Sequence, residues 1–193
     1  MKNNREYRSM ELQLNDSYEV RGYASTFDPY LMFKDDEGTE YFERIEPNAF
    51  DEADLSDVVF RVDHEGTVYA RTSAGTVELW TDEHGLGNRA DLSKTQKARD
   101  LYEDIRVGNY SKMSFAFTVA EDHFDRATHT RVIDRIAKVF DVSPVSFPAN
   151  PNTELSVSTR AYFDGVIEME KAERLEREKR EIQKRRIKIL SEI

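Results

Sequence analysis

The 193-residue chain contains no cysteine, which excludes disulfides, a thiol nucleophile and thiolate-bound metal centres. Long hydrophobic runs are also absent, since no stretch approaches the length of a membrane-spanning helix. Residues 1–6 lead into polar sequence without the apolar core of a signal peptide. We therefore expect an intracellular protein that is neither secreted nor inserted into a membrane.

Basic residues are in the minority, with 28 Lys and Arg against 38 Asp and Glu and a formal net charge of −10. Binding to nucleic acid through phosphate neutralisation needs a basic face, so we expect partners that are proteins and no nucleic acid. The chain has no His-Glu-x-x-His spacing, no histidines clustered with carboxylates at metal-ligand spacing and no phosphate loop. The prediction is that it needs neither a metal nor a cofactor.

Short apolar segments separated by polar or glycine-containing turns indicate a mainly β fold. A capping pattern at Ser93–Gln96 and the spacing of Ala98, Leu101 and Ile105 predict a helix that ends at Gly108. A brief helix is also expected over 48–55. The fold class is thus mainly β with flanking helices (α+β), and the predicted strands are 20–27, 41–45, 58–62, 68–72, 76–81, 86–92, 115–120, 131–137, 139–147 and 155–159.

The composition changes at about Ala161 to charged helical sequence with several Glu-to-Arg pairs four residues apart. Each pair adds only about 0.2–0.5 kcal/mol to an isolated helix, so the pairs favour a persistent helix and contribute little to folding. We predict a β domain over residues 1–160 and a helical tail over 161–193. The tail is either a projecting arm that binds partners or a solvated charged face.

Three residues far apart in the chain are candidates for nucleophilic catalysis of peptide hydrolysis. Ser114 lies within an apolar strand as the candidate nucleophile, and His64 ends another strand as the candidate general base. Asp141 lies between Phe140 and Val142, where a buried carboxylate needs a partner, and it could orient the histidine. These residues predict a serine endopeptidase.

Each candidate has a plainer interpretation. A serine among aromatic residues is often a small filler, a histidine beside two acids is often a surface residue, and an acid in a strand can face solvent. Asp63 and Glu65, which flank His64, are alternative orienting acids, although adjacent strand positions point to opposite faces. His84, His123 and His129 fall in turns or polar segments where exposed histidines are ordinary.

The ordered pattern resembles the prohead (capsid maturation) protease family of tailed bacteriophages over roughly residues 18–158. The chain departs from the usual family residues at Asn48, Asp63 and Ala116, where glycine, asparagine and glycine are usual, and at Asp141, where glutamate is usual. The segments that carry the resemblance are 21–27, 43–50, 63–65, 70–72, 75–76, 85–86, 98–101, 113–117 and 142–149.

The resemblance implies that His64 and Ser114 occupy the family's catalytic positions, with Asp141 as a less secure third member. It also implies a β-barrel similar to that of herpesvirus assembly proteases, with oxyanion donors in the loop through about 146–150. The expected activity is cleavage of scaffold and capsid precursor proteins inside the assembling prohead, in the cytoplasm of a bacterial host, with self-cleavage. Homo-oligomerisation or association within the prohead is expected, and a non-catalytic capsid assembly or scaffolding protein is the alternative.

Overall fold

A computed structural model describes residues 6–14, 17–146 and 157–191 of the chain. It divides into two compact units, Met1–Leu155 and Ser156–Ile193. Within these described ranges the first unit contains ten strands, a 3₁₀ turn at Thr72–Ala74 and one helix, and the second contains one long helix. The elements are β1 (Glu6–Leu14), β2 (Glu19–Thr26), β3 (Tyr30–Lys34), β4 (Glu40–Ile45), β5 (Val59–Val62), β6 (Glu65–Arg71), β7 (Val77–Thr81), β8 (Gly85–Asp91), α1 (Gln96–Arg106), β9 (Lys112–Asp125), β10 (Thr130–Val145) and α2 (Val157–Ser191).

The strands form one ten-stranded sheet in the order β3-β4-β10-β9-β1-β2-β8-β7, and β5 pairs with both β10 and β6. Most neighbours are antiparallel, but β4 and β5 run parallel to β10. Among the described strands the path ends at β3 and β7, so their pairing does not close into a ring. The predicted mainly β fold with flanking helices is confirmed.

The long hairpin of β9 and β10 contributes to a single hydrophobic core. Alternate residues of β9, Met113, Phe115 and Phe117, lie in this core, where the two phenylalanine rings stack with centroids 4.4 Å apart. Side chains alternate between the two faces of a strand, so the intervening residues of β9 face the other way. This alternation separates the core from the face that carries Ser114.

Helix α1 agrees with the predicted helix, but its N-cap is Thr95 and not Ser93 of the predicted capping pattern. Its residues Ala98, Leu101, Tyr102 and Ile105 are buried on one face, and the Thr95 hydroxyl caps the first turn by accepting a hydrogen bond from the Ala98 amide at 3.1 Å. Gly108 follows the helix with a φ of 91°, a conformation that glycine adopts without steric cost.

The helix predicted over 48–55 is wrong, because this segment forms consecutive turns. Some of its backbone groups bond to one another within single turns, and others bond to β10. The Ile136 amide donates to the Ala49 carbonyl at 2.9 Å, and the Asp54 amide donates to the Ala137 carbonyl at 3.0 Å. These bonds satisfy the polar groups where β10 bulges away from β9.

Several strand predictions also need correction. Strands β1 and β3 were not expected, and β9 continues to Asp125, beyond the end of the strand predicted over 115–120. Of the strand predicted over 155–159, residues 155 and 156 lie outside the described residues and 157–159 begin α2. Helix α2 therefore starts four residues before the compositional change at Ala161, and the division into residues 1–160 and 161–193 stays a prediction.

Candidate active site

The register between β9 and β10 places two predicted site residues on one face of the sheet. Ser114 lies directly opposite Ser143, and Asp141 lies directly opposite Ala116. Directly opposed residues in an antiparallel pair point to the same side of the sheet. Ser114 and Asp141 are therefore diagonal neighbours, a relationship that separates such residues by about 7–8 Å.

His64 reaches this face through the turn between β5 and β6. Strand β5 runs parallel to β10 with Asp141 beside Val59, so its C-terminal end lies next to the end of β10. Asp63 and His64 then form a two-residue turn with φ values of 48° and 61°. Positive φ at both positions is the geometry of a type I′ hairpin turn, and Asp and His tolerate it better than most residues.

The structure brings His64 and Asp141 together across 77 positions of sequence. Nδ1 of His64 lies 2.6 Å from Oδ1 of Asp141, and the hydroxyl of Ser143 donates to the same oxygen at 2.7 Å. The His64 side chain is 15% exposed and the Asp141 side chain 2% exposed. A buried carboxylate in this position accepts a hydrogen bond from Nδ1–H, which leaves Nε2 of the imidazole as the acceptor that a general base needs.

Ser114 is 2% exposed, and its hydroxyl oxygen has no hydrogen-bond partner among the described residues. The link between Ser114 Oγ and His64 Nε2 is therefore not made in this structure. An unpaired buried hydroxyl is costly, and it is unusual in folded proteins. Catalytic hydrogen bonds are often long or misaligned in proteins without substrate and shorten when substrate binds.

The alternative orienting acid Asp63 has a different partner. Its carboxylate accepts hydrogen bonds from the Ser146 amide at 2.7 Å and from the Ser146 hydroxyl at 2.6 Å. The Asp63 amide donates to the Pro144 carbonyl at 3.1 Å. The Ser146 amide, part of the predicted oxyanion loop, is thus bonded to Asp63, and residues 147–150 of that loop lie outside the described residues.

A second histidine–aspartate pair lacks the burial of the first. Nδ1 of His123 also lies 2.6 Å from a carboxylate, that of Asp134, but these side chains are 58% and 32% exposed. The hydrogen bond that His123 donates to the Asp134 carboxylate raises the pKa of His123 from its ordinary value of 6.5. Distance alone therefore does not distinguish the two pairs, whereas burial and the neighbouring serine do.

A cleft of about 350 Å³ lies beside the β5–β6 hairpin, and His64, Ser114 and Asp141 are not among its lining residues. Val62 and Thr67 of the β5–β6 hairpin line one side, and Leu101 and Asp104 of α1 line another. Tyr110 also lines the cleft, and burial followed by the Asp63 charge raises the pKa of its phenol. Tyr110 therefore both lines the cleft and lies within range of the charge of Asp63, in the turn that carries His64.

The described residues contain no group of three or more His, Asp or Glu side chains arranged to hold a metal ion. None of the described helices has the combination of length and apolar character that crossing a membrane requires.

A carboxylate-bound imidazole on the same sheet face as a buried serine is the arrangement of hydrolases that use an activated hydroxyl. The family model for caudovirus prohead serine proteases matches residues 4–165. The chain therefore belongs to the caudovirus prohead serine protease family, as the sequence resemblance predicted. No curated protein and no solved structure matches it. Family membership gives the class of protein, a serine peptidase with a role in phage prohead maturation.

Proposed function

We propose that the protein is a serine endopeptidase in which Ser114 is the nucleophile, His64 the general base and Asp141 the acid that orients His64. The observation that carries the proposal is the 2.6 Å contact between His64 Nδ1 and Asp141 Oδ1, on the sheet face that also holds Ser114. In this proposal, Nε2 of the imidazole bonded to Asp141 is the atom that takes the proton of Ser114, its diagonal neighbour across the strands.

The chemical steps follow from these roles. Ser114 Oγ attacks the scissile carbonyl carbon while its proton moves to His64 Nε2, and a C–O bond forms. The C–N bond then breaks, and the leaving amine takes the proton from Nε2. Water attacks the resulting ester and gives a proton to Nε2, and this proton returns to Ser114 Oγ as the C–O bond breaks. Asp141 remains ionised and stabilises the imidazolium formed in both halves.

The first step requires the missing hydrogen bond between Ser114 and His64. A serine hydroxyl occupies one of three staggered rotamers, so rotation about χ1 redirects Oγ without moving the strand. This step is supported because Ser114 Oγ has no hydrogen bond among the described residues that the rotation would break. The oxyanion donors are backbone amides of the loop after β10, with the Ser146 amide excluded while it is bonded to Asp63.

The substrates that fit the family are the scaffold and capsid precursor proteins of the same phage, cleaved inside the assembling prohead in the bacterial host. The cleft between the β5–β6 hairpin and α1 supports binding of an extended polypeptide beside His64. The protein associates with its own copies or with the prohead through the charged segment 161–193, and it cleaves itself there as maturation ends. We further propose that its fold is related to that of herpesvirus assembly proteases, with an open sheet among the described strands in place of a closed β-barrel.

The alternative is a non-catalytic assembly protein whose β domain binds capsid subunits. The unmade bond between Ser114 and His64 is the observation that favours this alternative. It predicts that substitution of the three residues leaves capsid processing unchanged.

The deciding experiment is co-expression with the phage's capsid precursor, followed by mass spectrometry of the products. The wild-type protein should trim the precursor, whereas Ser114→Ala and His64→Ala should leave it intact and remain folded by circular dichroism. The control for loss of a serine hydroxyl is Ser93→Ala, close to α1. Ser146→Ala is unsuitable because Ser146 contacts the His64 turn. Trimming by Ser114→Ala would reject the assignment of the nucleophile.

A further inference from the structure

Asp63 connects the turn that carries His64 to the end of the strand that carries Asp141. Its two carboxylate oxygens accept hydrogen bonds from the amide and the hydroxyl of Ser146, at 2.7 and 2.6 Å, and its own amide donates to Pro144. Ser146 directly follows β10, in which Asp141 and Ser143 lie. The turn is thus attached to β10 at a point only a few residues from the carboxylate that holds His64.

This attachment has a second support on the other side of the turn. Nη1 of Arg61 donates to the His64 carbonyl at 2.9 Å. The side chain of His64 therefore starts from a backbone held on two sides, and both residues of the turn adopt positive φ. Such a conformation costs free energy for residues other than glycine and persists only where surrounding contacts enforce it.

We propose that Asp63 is a positioning residue, whose carboxylate attaches the His64 turn to Ser146 and so sets the distance between the imidazole and Asp141. The expected loss of catalytic rate rests on the proposed function, whereas the effect of Asp63 on the position of His64 does not. Asp63 touches neither the substrate nor the reacting atoms in this scheme. A displacement of about 1 Å at a catalytic group lowers the rate about 10²-fold, so loss of this attachment should have an effect of that order.

Four variants separate this role from general stability. Asp63→Ala removes both acceptors, whereas Asp63→Asn keeps an amide oxygen for the Ser146 amide and an NH₂ group for its hydroxyl. Asp63→Gly also removes the acceptors but adopts positive φ freely, so it serves if the alanine variant unfolds. Asp125→Ala is the matched control, because Asp125 likewise accepts from a backbone amide and a hydroxyl, at 2.9 Å each, in the β9–β10 turn.

Two measurements on the full chain provide the readout. The first is the low-field proton resonance of the His64 Nδ1–H bonded to Asp141, assigned by its loss in His64→Gln. The second is the rate of labelling by a fluorophosphonate, in which Ser114 Oγ bonds to phosphorus, fluoride leaves and the hydroxyl proton passes to His64. We expect Asp63→Ala and Asp63→Gly to lose the resonance and to label about 10²-fold more slowly. Asp63→Asn and Asp125→Ala should retain the resonance and label at close to the wild-type rate.

The resonance decides the proposal independently of catalysis. Its persistence in both Asp63→Ala and Asp63→Gly would overturn the positioning role, and so would its loss in Asp63→Asn or Asp125→Ala. A wild-type protein that shows the resonance but neither reacts with the fluorophosphonate nor trims the precursor would instead reject the proposed catalytic function. The two failures are therefore distinguishable.

Discussion

Nδ1 of His64 lies 2.6 Å from Oδ1 of Asp141, and this contact joins the β5–β6 turn to β10 on the sheet face that also holds Ser114. The aspartate is almost wholly buried, so its charge is stabilised by the imidazole and by the Ser143 hydroxyl. The orientation and the tautomer of His64 therefore depend on the presence of a carboxylate at position 141.

Asp141→Asn tests that dependence. The amide NH₂ group can donate to Nδ1, which would place the imidazole proton on Nε2 and remove the general base, an exchange that lowers kcat about 10⁴-fold in a serine protease relay. We expect a loss of that order in fluorophosphonate labelling and in precursor cleavage, with the fold retained. Asp134→Asn is the matched control, since it alters the exposed His123 pair at the same distance. Equal effects of the two substitutions would contradict a special role for Asp141.

Filling the cleft should separate substrate binding from chemistry. Thr67 lines the cleft and is exposed on β6, and tryptophan at this position is compatible with a strand. We expect Thr67→Trp to slow cleavage of the capsid precursor while labelling by the small fluorophosphonate proceeds at the wild-type rate. Thr81→Trp, on the exposed end of β7, provides the control. Unchanged precursor cleavage in Thr67→Trp would exclude this cleft as a path for the substrate.

A buried ion network holds β4, β9 and β10 together far along the sheet from the candidate site. Arg131 contacts Glu43 at 3.0 Å and Asp122 at 2.5 Å, and Glu43 also accepts from the Tyr30 hydroxyl. Arg131→Met leaves the carboxylate of Glu43 buried without its cation, so we expect a loss of about 3–5 kcal/mol in the free energy of unfolding.

Urea unfolding, measured with Ser114→Ala present to prevent self-cleavage, checks this value. The double substitution Arg131→Met with Glu43→Gln should recover much of the loss, because the neutral amide needs no counter-charge and still accepts from Tyr30. If Arg131→Met alone costs less than about 1 kcal/mol, the network does not have the assigned stabilising role.

The exposed His123 pair predicts a titration with a defined direction. The carboxylate of Asp134 raises the pKa of His123 above 6.5, so the pair stabilises the fold at pH values below 6.5. This contribution is lost as the pH rises through the raised pKa of His123. NMR should show His123 titrating above pH 6.5 in the wild type and closer to 6.5 in Asp134→Asn. Identical titration curves would show that the contact is not populated in solution.

The sequence was sufficient for the general plan of the fold. Alternation of apolar residues predicted most strands, and the spacing of Ala98, Leu101 and Ile105 predicted α1, because these patterns depend on local geometry. Strand β1 was not predicted, since its register partners are residues of β2 and β9 that lie elsewhere in the chain. The turns at 48–55 were mistaken for a helix because their partners, at the bulges of β10, are more than eighty residues away.

For the candidate site, too, the sequence predicted some features and the fold was needed for others. Residue type and neighbouring sequence were enough to single out His64, Ser114 and Asp141, but no local signal showed that Asp63 bonds to Ser146 or that the β5–β6 turn has two positive φ values. An Asp-His pair after a strand is compatible with several turns. The register of β5 with β6, in which Val62 pairs with Glu65, determines which one forms.

The amino-acid sequence by itself determined the chemical inventory: no thiol, a negative net charge, a mainly β pattern, and a serine, a histidine and an aspartate within or at the end of apolar segments. These properties are carried by single residues and short segments. The tertiary structure decided which carboxylate faces His64, that Asp141 is buried while Asp134 is exposed, and that the Ser114 hydroxyl has no partner among the described residues. Such relationships arise from register and bulges between strands distant in sequence, where a shift of one residue would turn Asp141 to the opposite face.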